Sequence, residues 1–186
     1  MEQYIKILDL WRSYSIVSLA DIDKYLASFR ILFAYNSGKI ENDEITYHDT
    51  REIFENGKVS GFTGIHEVGS AAEDVAADMT ELIDEVNAYC GNDVLKASAY
   101  LHAKFEYIHP FADGNGRVGR TILNYYLMTR DYPPLIIYDE DKRAYYNALQ
   151  KYDETEEIIP LVDFFRQQTE KTWAKALELA KKNSIF

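Results

Sequence analysis

Residues His109 to Arg120 read His-Pro-Phe-Ala-Asp-Gly-Asn-Gly-Arg-Val-Gly-Arg, with apolar residues at helical spacing on both sides. This constrains the fold more than any other feature. One helix must end near Ile108, a tight loop must follow, and a second helix must begin at the glycines. Upstream, Asp93 can cap a helix with Leu95, Ala99, Leu101 and Phe105 on one face; downstream, an apolar run continues from Thr121 to Met128. A loop closing into a helix N-terminus leaves backbone N–H groups without intrahelical partners and exposes the positive end of the helix dipole. Gly114 and Gly116 carry no Cβ, so an anion can come close to that backbone. Arg117 and Arg120 lie three residues apart and face the same end of a polyphosphate. Asn115 either donates its amide to a phosphate oxygen or braces the loop. Asp113 would repel a bare phosphate, which calls for a divalent ion between the two. Mg²⁺ fits, since it binds through one or two carboxylates plus phosphates and water. His109 can take a proton from a hydroxyl near neutral pH. Phe111 is expected to point inward and anchor the loop, and Pro110 stiffens it. Singly, these residues have plainer readings: a loop histidine, an Asp-Gly turn, a solvated arginine face. Together they point to a site that holds a nucleoside triphosphate with its metal and deprotonates a hydroxyl beside it.

The chain has 186 residues, 47% hydrophobic and 14% aromatic, which fits one domain over 1–186 with a sizeable core. A formal net charge of −11 argues against nucleic acid as the main partner, because a phosphate backbone needs clustered Lys and Arg. No run of about 18 apolar residues occurs, so no membrane span is expected. The N-terminus lacks the basic and long apolar regions of a signal peptide. Cys90 stands alone, so no intramolecular disulfide can form. A reducing cytoplasm is the simplest location.

The remaining pattern is mostly helical. Ser18 can cap a helix from Leu19 to Tyr35, with Ile22, Leu26, Phe29 and Phe33 on one face, and Asn36-Ser37-Gly38 is expected to break it. Ile40 to Asn42 reads as a short helical turn. Thr46 can cap a helix from Tyr47 to Glu55 that stops at Asn56-Gly57. Residues 58–69 alternate Gly with β-branched residues and read as a short hairpin. Ser70 is expected to cap a long helix through Val75, Met79, Leu82, Ile83, Val86 and Tyr89. The motif helix should stop at Tyr132-Pro133-Pro134. Lys142 to Lys151 and Leu161 to Lys182 form the last two helices. The expected architecture is all-α, with about seven or eight helices around a central pair and one small β-hairpin.

The His109–Arg120 segment resembles the signature of the Fic (filamentation induced by cAMP) domain family, His-x-Phe-x-(Asp or Glu)-Gly-Asn-Gly-Arg-x-x-Arg, at every defined position. The resemblance extends more loosely over residues 34–165, with a catalytic core at about 70–165. It implies transfer of AMP from ATP to a hydroxyl side chain of a target protein or of the chain itself. It also implies His109 as general base, Asp113 as the Mg²⁺ ligand, Gly114, Asn115 and Gly116 as the anion cradle, and Arg117 and Arg120 on the β- and γ-phosphates. Gly116 stands where a kinase branch has Lys, which favours nucleotidyl transfer. Ser37-Gly38-Lys39-Ile40-Glu41-Asn42 matches the family's inhibitory pattern, (Ser or Thr)-x-x-x-Glu-(Gly or Asn), within a segment of about 34–45. The resemblance therefore implies a self-inhibited class in which Glu41 pairs with Arg120, where the γ-phosphate belongs, and Ser37 steadies the segment. It further implies a flap at Phe62 to Val68 that docks a target strand, and an adenine pocket lined by Tyr146 and Leu149. Asp153 departs from the family's Asn there. His66 and Glu67 form a second acid–base candidate with no evident reach to His109. Relatives often pair through a face away from the site, which implies a homo-oligomer. Two other readings stay open. One is removal of AMP from a modified protein, with Glu41 orienting a water. The other is a nucleotide-sensing module without turnover.

Overall fold

The computed structural model describes residues 1–47, 50–51 and 69–183. Among these, seven α-helices and one 3₁₀ turn form the fold, and no strand occurs: α1 (Glu2–Ser13), α2 (Leu19–Glu41), α3 (Val75–Ala88), α4 (Val94–Ile108), α5 (Asn115–Met128), the 3₁₀ turn Asp139–Asp141, α6 (Lys142–Thr155) and α7 (Ile159–Asn183). Tyr47, Thr50 and Arg51 are helical, and the Thr50 N–H bonds to the Thr46 carbonyl at 3.2 Å. The rest of the helix expected to Glu55, the Asn56-Gly57 stop, the hairpin at 58–68, and His66 and Glu67 lie outside the described residues. α1 has no counterpart in the periodicity reading above. It buries Tyr4, Ile7, Leu8 and Trp11.

The central pair is α4 and α5, which contact each other more extensively than any other two elements. α3 lies on α4, α7 packs on α1, α4 and α6, and α2 leans on α5. The main core joins Ala99 and Ala103 of α4 to Leu123 and Leu127 of α5, with Tyr145 and Leu149 from α6 and Leu161 and Phe165 from α7. A second cluster under α3 holds Leu82, Phe105 and Tyr126, and a third joins Trp11, Leu26 and Trp173.

Two caps follow the sequence. Ser18 and Asp21 form a reciprocal capping box on α2, and the Asp93 carboxylate accepts from the Lys96 N–H at 2.9 Å. Two expectations fail. Ser70 does not start α3, which begins at Val75; the Ser70 N–H instead bonds to the Ile108 carbonyl at 3.0 Å. Asn36-Ser37-Gly38 does not break α2, which runs on to Glu41. Tertiary partners override the weak local propensity of those three residues. The Asn36 amide donates to the Leu32 carbonyl at 2.9 Å, and its Oδ1 accepts from the Asp139 N–H at 3.1 Å. Gly38 lies under Ile45, where a Cβ would sit 2.8 Å from Ile45 Cδ1. Ile40, Glu41 and the C-cap Asn42 thus end α2 rather than form a separate turn.

α5 stops at Met128, five residues before Pro133. Beyond it, residues 133–138 cross the interior without regular structure, burying Leu135, Ile136 and Ile137. Side chains satisfy that backbone. Asn124 accepts from the Leu135 N–H at 2.8 Å and donates to its carbonyl at 2.9 Å; Thr172 and Gln168 accept from Ile136 and Tyr138. Asn124→Ala leaves two buried backbone groups unpaired and should cost about 3 kcal/mol. The melting temperature should fall by roughly 6–12 °C in a thermal unfolding scan. A shift under about 2 °C would remove this bridge as a main tie.

Candidate active site

α4 and the loop after it position His109. The α4 helix ends with His109 in the left-handed conformation at φ 54°, its N–H bonded to the Phe105 carbonyl. Its Nδ1 lies 3.3 Å from the Glu106 carbonyl. A carbonyl only accepts, so Nδ1 carries the ring proton and Nε2 keeps the lone pair. Gly69 packs on this backbone. A Cβ there would lie 2.4 Å from His109 Cβ and 2.6 Å from the Ile108 carbonyl oxygen. Periodicity does not single out Gly69; the close approach of a distant segment does.

The loop is braced by Asn115, buried at 2% exposure. Its Oδ1 accepts from the Phe111 N–H at 2.8 Å and its amide donates to the Phe111 carbonyl at 2.6 Å. Of the two roles open for Asn115, bracing is the one seen. Phe111 does not anchor the loop from inside, contrary to expectation. It is 50% exposed and touches Phe105 only at a ring separation of 6.3 Å. The Asn115 side chain does that work through the Phe111 backbone, which frees the phenyl ring to lie outside. Gly114 caps α5 at φ 82°, a conformation that a side chain would strain.

Arg120 is 2% exposed and reaches across to the end of α2. Its Nε donates to Ser37 Oγ at 2.9 Å, and its Nη2 donates to the Ser37 carbonyl at 2.7 Å and to Glu41 Oε1 at 2.5 Å. Burial works against the Arg120 charge, but Tyr145, Glu41 and Glu106 around it more than offset that and raise its proton affinity. The other Glu41 oxygen pairs with Arg117 Nε at 3.2 Å, a contact the sequence did not disclose. Arg117 Nη2 in turn lies 3.2 Å from Asp113 Oδ2. One carboxylate therefore bridges both arginines. It also lies over the first turn of α5: a Cβ on Gly116 would sit 2.3 Å from Glu41 Oε1 and 2.8 Å from Arg120 Nη1. Gly116 leaves space open above that turn, and Glu41 fills it.

These groups line a cavity of about 500 Å³ together with Asn42, Asp43, Glu44, Glu106, Tyr145 and Tyr146. His109, Asp113, Gly114, Asn115, Gly116, Arg120 and Glu41 all face it, while Arg117 stands beside it. Tyr146 is half-exposed on its wall, but Leu149 is packed in the main core and does not line it. An α-helix turns neighbours three residues apart only partly to one side, and here Leu149 follows the core side of α6. Glu106 and Tyr145 are wall residues that motif spacing alone does not mark. A stronger signal lay in the ionisable residues carried on the faces of α4 and α6 that point at the motif. Cys90, exposed after α3, is remote from the cavity lining.

The model of the Fic/DOC family matches residues 21–127, more than half of the chain. The chain belongs to the Fic/DOC family. It is 44% identical over 78 residues to protein adenylyltransferase Fic of Aedes aegypti, a match covering 42% of this chain and 15% of that relative. The protein of that name from Drosophila willistoni is 38% identical over 101 residues, covering 53% of this chain and 20% of the relative. The chain thus spans about a fifth or less of the length of these relatives. Among solved structures, a Fic-domain-containing signalling protein from Bacteroides thetaiotaomicron superposes with a TM-score of 0.79 at 21% identity, over 97% of this chain and 98% of that one. A Fic family protein from Desulfovibrio desulfuricans gives 0.71 at 20% identity, over 96% and 74%. These two likenesses establish the all-helical Fic fold. No helix among the described residues is long and apolar enough to cross a membrane.

Proposed function

We propose that this Fic chain transfers AMP from ATP to a hydroxyl of a protein, either a target or itself, and that Glu41 restrains the reaction. The observation that carries the reading is the Glu41 carboxylate lying on Arg120, Arg117 and the open space at Gly116. A carboxylate held there resembles a bound phosphate oxygen in charge and size, so the pocket is built for an anion, and its own chain supplies one. The names of the relatives support the activity.

In the proposed reaction the hydroxyl oxygen attacks the α-phosphorus while the bond to the bridging oxygen of the β-phosphate breaks. Pyrophosphate leaves with that electron pair, and the hydroxyl proton passes to His109 Nε2. Arg117 and Arg120 would hold the terminal phosphates, and the α5 N-terminus would steady the charge gathering on the α-phosphate. Asp113 offers one exposed carboxylate at the cavity, and no cluster of three or more His, Cys, Asp or Glu occurs among the described residues. A single carboxylate suits Mg²⁺ shared with phosphates, which would screen the polyphosphate charge. Tyr146 would pack on the base.

Incubating the Glu41→Gly form with ATP labelled at the α-phosphate tests the reading. Label on protein is expected. Label released only as free nucleotide, with protein unlabelled across candidate substrates, would overturn protein AMP transfer. Release of AMP from a modified protein by the wild type would favour the removal reaction instead.

A further inference from the structure

The end of α2 is held on two sides. Arg120 binds Ser37 and Glu41 on one of them. On the other, the residues just before and just after this pair are tied to one short segment. Asn36 is 6% exposed; its Oδ1 accepts from the Asp139 N–H at 3.1 Å, and its amide donates to the Leu32 carbonyl at 2.9 Å. Lys142 Nζ lies 2.6 Å from Asp43 Oδ1. Asp139 opens the 3₁₀ turn, and Lys142 follows it as the first residue of α6. α7 fixes that turn in place. Gln168, 3% exposed, accepts from the Tyr138 N–H at 3.1 Å and donates to Asp141 Oδ2 at 2.9 Å, and Lys171 Nζ lies 2.6 Å from the same oxygen. The ties from Asn36 and Asp43 therefore end on a braced segment rather than on a loose loop. Between them runs Asn36-Ser37-Gly38, and all three residue types rank low as helix formers.

We propose that the last turns of α2 are a conditional helix: they stay wound, with Glu41 in the cavity, while Asn36 and Asp43 are tied to Asp139 and Lys142, and they unwind at Asn36-Ser37-Gly38 to release Glu41. The proposal rests on the reading of Glu41 as the restraint. Asn36 and Lys142 are then positioning residues, which act through Glu41 rather than on the nucleotide. The physical basis is an equilibrium between a docked and a withdrawn helix end, and a bond made only in the docked end shifts it toward restraint. Ser37 and Glu41 sit on the same turns, so unwinding removes their three bonds to Arg120 together. The Asn42 N–H bonds to the Gly38 carbonyl at 2.9 Å, so Asp43 follows directly on the last wound residues and its tie to Lys142 reaches Glu41 through one residue.

The direct test does not depend on nucleotide. Hydrogen exchange at the Ile40, Glu41 and Asn42 amides, read by NMR on the whole chain, measures how often this helix end opens. Asn36→Val removes the acceptor for the Asp139 N–H at about equal helix propensity, and should speed that exchange at least about threefold. Lys142→Glu turns an attraction to Asp43 into a repulsion and should act in the same direction by roughly two- to threefold; adding Asp43→Lys reverses the pair and should remove most of that rise. The faster exchange should not change with low concentrations of urea, because a local opening exposes little surface. Wild-type rates in both Asn36→Val and Lys142→Glu overturn the proposal, and so does a rise that grows with urea in step with the Leu123 amide, the mark of global unfolding. If Asn36→Val does not fold, failure of Asp43→Lys to reverse the effect of Lys142→Glu overturns it instead.

A second arm reads the release itself. With ATP labelled at the α-phosphate, Asn36→Val should raise protein labelling at least about threefold, matching its effect on exchange. In the Glu41→Gly protein the same substitution should leave labelling unchanged, since no restraint is left to release. A further rise there would show that Asn36 acts other than through Glu41 and overturns the proposal. If Glu41→Gly labels no faster than wild type, the restraint reading falls, and the exchange rates alone decide whether the helix end is conditional.

Discussion

Replacing Glu41 with glycine is expected to raise AMP transfer to protein at least about tenfold, roughly 1.4 kcal/mol off the barrier. The Glu41 carboxylate holds Arg120 at 2.5 Å and Arg117 at 3.2 Å. In the proposed reaction both arginines would exchange that partner for phosphate before the terminal phosphates settle. An incoming triphosphate would then compete with a tethered anion whose effective concentration is high and constant. Gly116 sharpens the competition. Glu41 Oε1 sits where even a methyl group would clash with it, so phosphate and carboxylate cannot share that space. Removing only the Glu41 side chain leaves Ser37 to bond Arg120. The gain should therefore appear as faster labelling from α-labelled ATP, with the fold retained. Equal labelling by wild type and Glu41→Gly on the same target would sink the restraint.

His109→Ala should lower transfer by about 10²–10⁴-fold in the Glu41→Gly background. Its Nδ1 proton is committed to the Glu106 carbonyl, which leaves Nε2 as the proton acceptor at the cavity. ATP affinity should change little, because the cradle and both arginines lie on α5 and in the loop before it, braced by Asn115 rather than by His109. Calorimetry with ATP and labelling with α-labelled ATP separate the two effects. Retained labelling would remove His109 as the base, and lost ATP binding would make it a structural residue of the loop.

The candidate-site loop was legible because its geometry is local. Glycine at a left-handed cap, an asparagine that bridges four residues, and arginines three apart all act within one turn. α4 and α5 were legible for the same reason: a capping Asp93 and an apolar stripe need no distant partner. Legibility failed where distant contacts reversed a local preference. Asn36-Ser37-Gly38 is a helix breaker by composition, yet Asp139 and Arg120 take up the polar groups of Asn36 and Ser37, and α2 continues. Phe111 looked like an anchor and lies half in solvent, because Asn115 satisfies the loop backbone instead. Leu149 looked like a base contact and fills the core.

By itself the sequence determined the loop between two helices and the placement of His109, the glycines and the two arginines along it, because each depends on residues close along the chain. It also marked Glu41, through a resemblance rather than through any local physics. The tertiary structure alone decided that one carboxylate bridges both arginines and that Gly69 and Gly116 make room for chain segments far away. Such contacts join residues 79 and 83 positions apart along the chain, as Arg120 is from Glu41 and Ser37. No hydrophobic period or capping rule encodes a meeting of that range, and only packing of α2, α4, α5 and α6 brings it about.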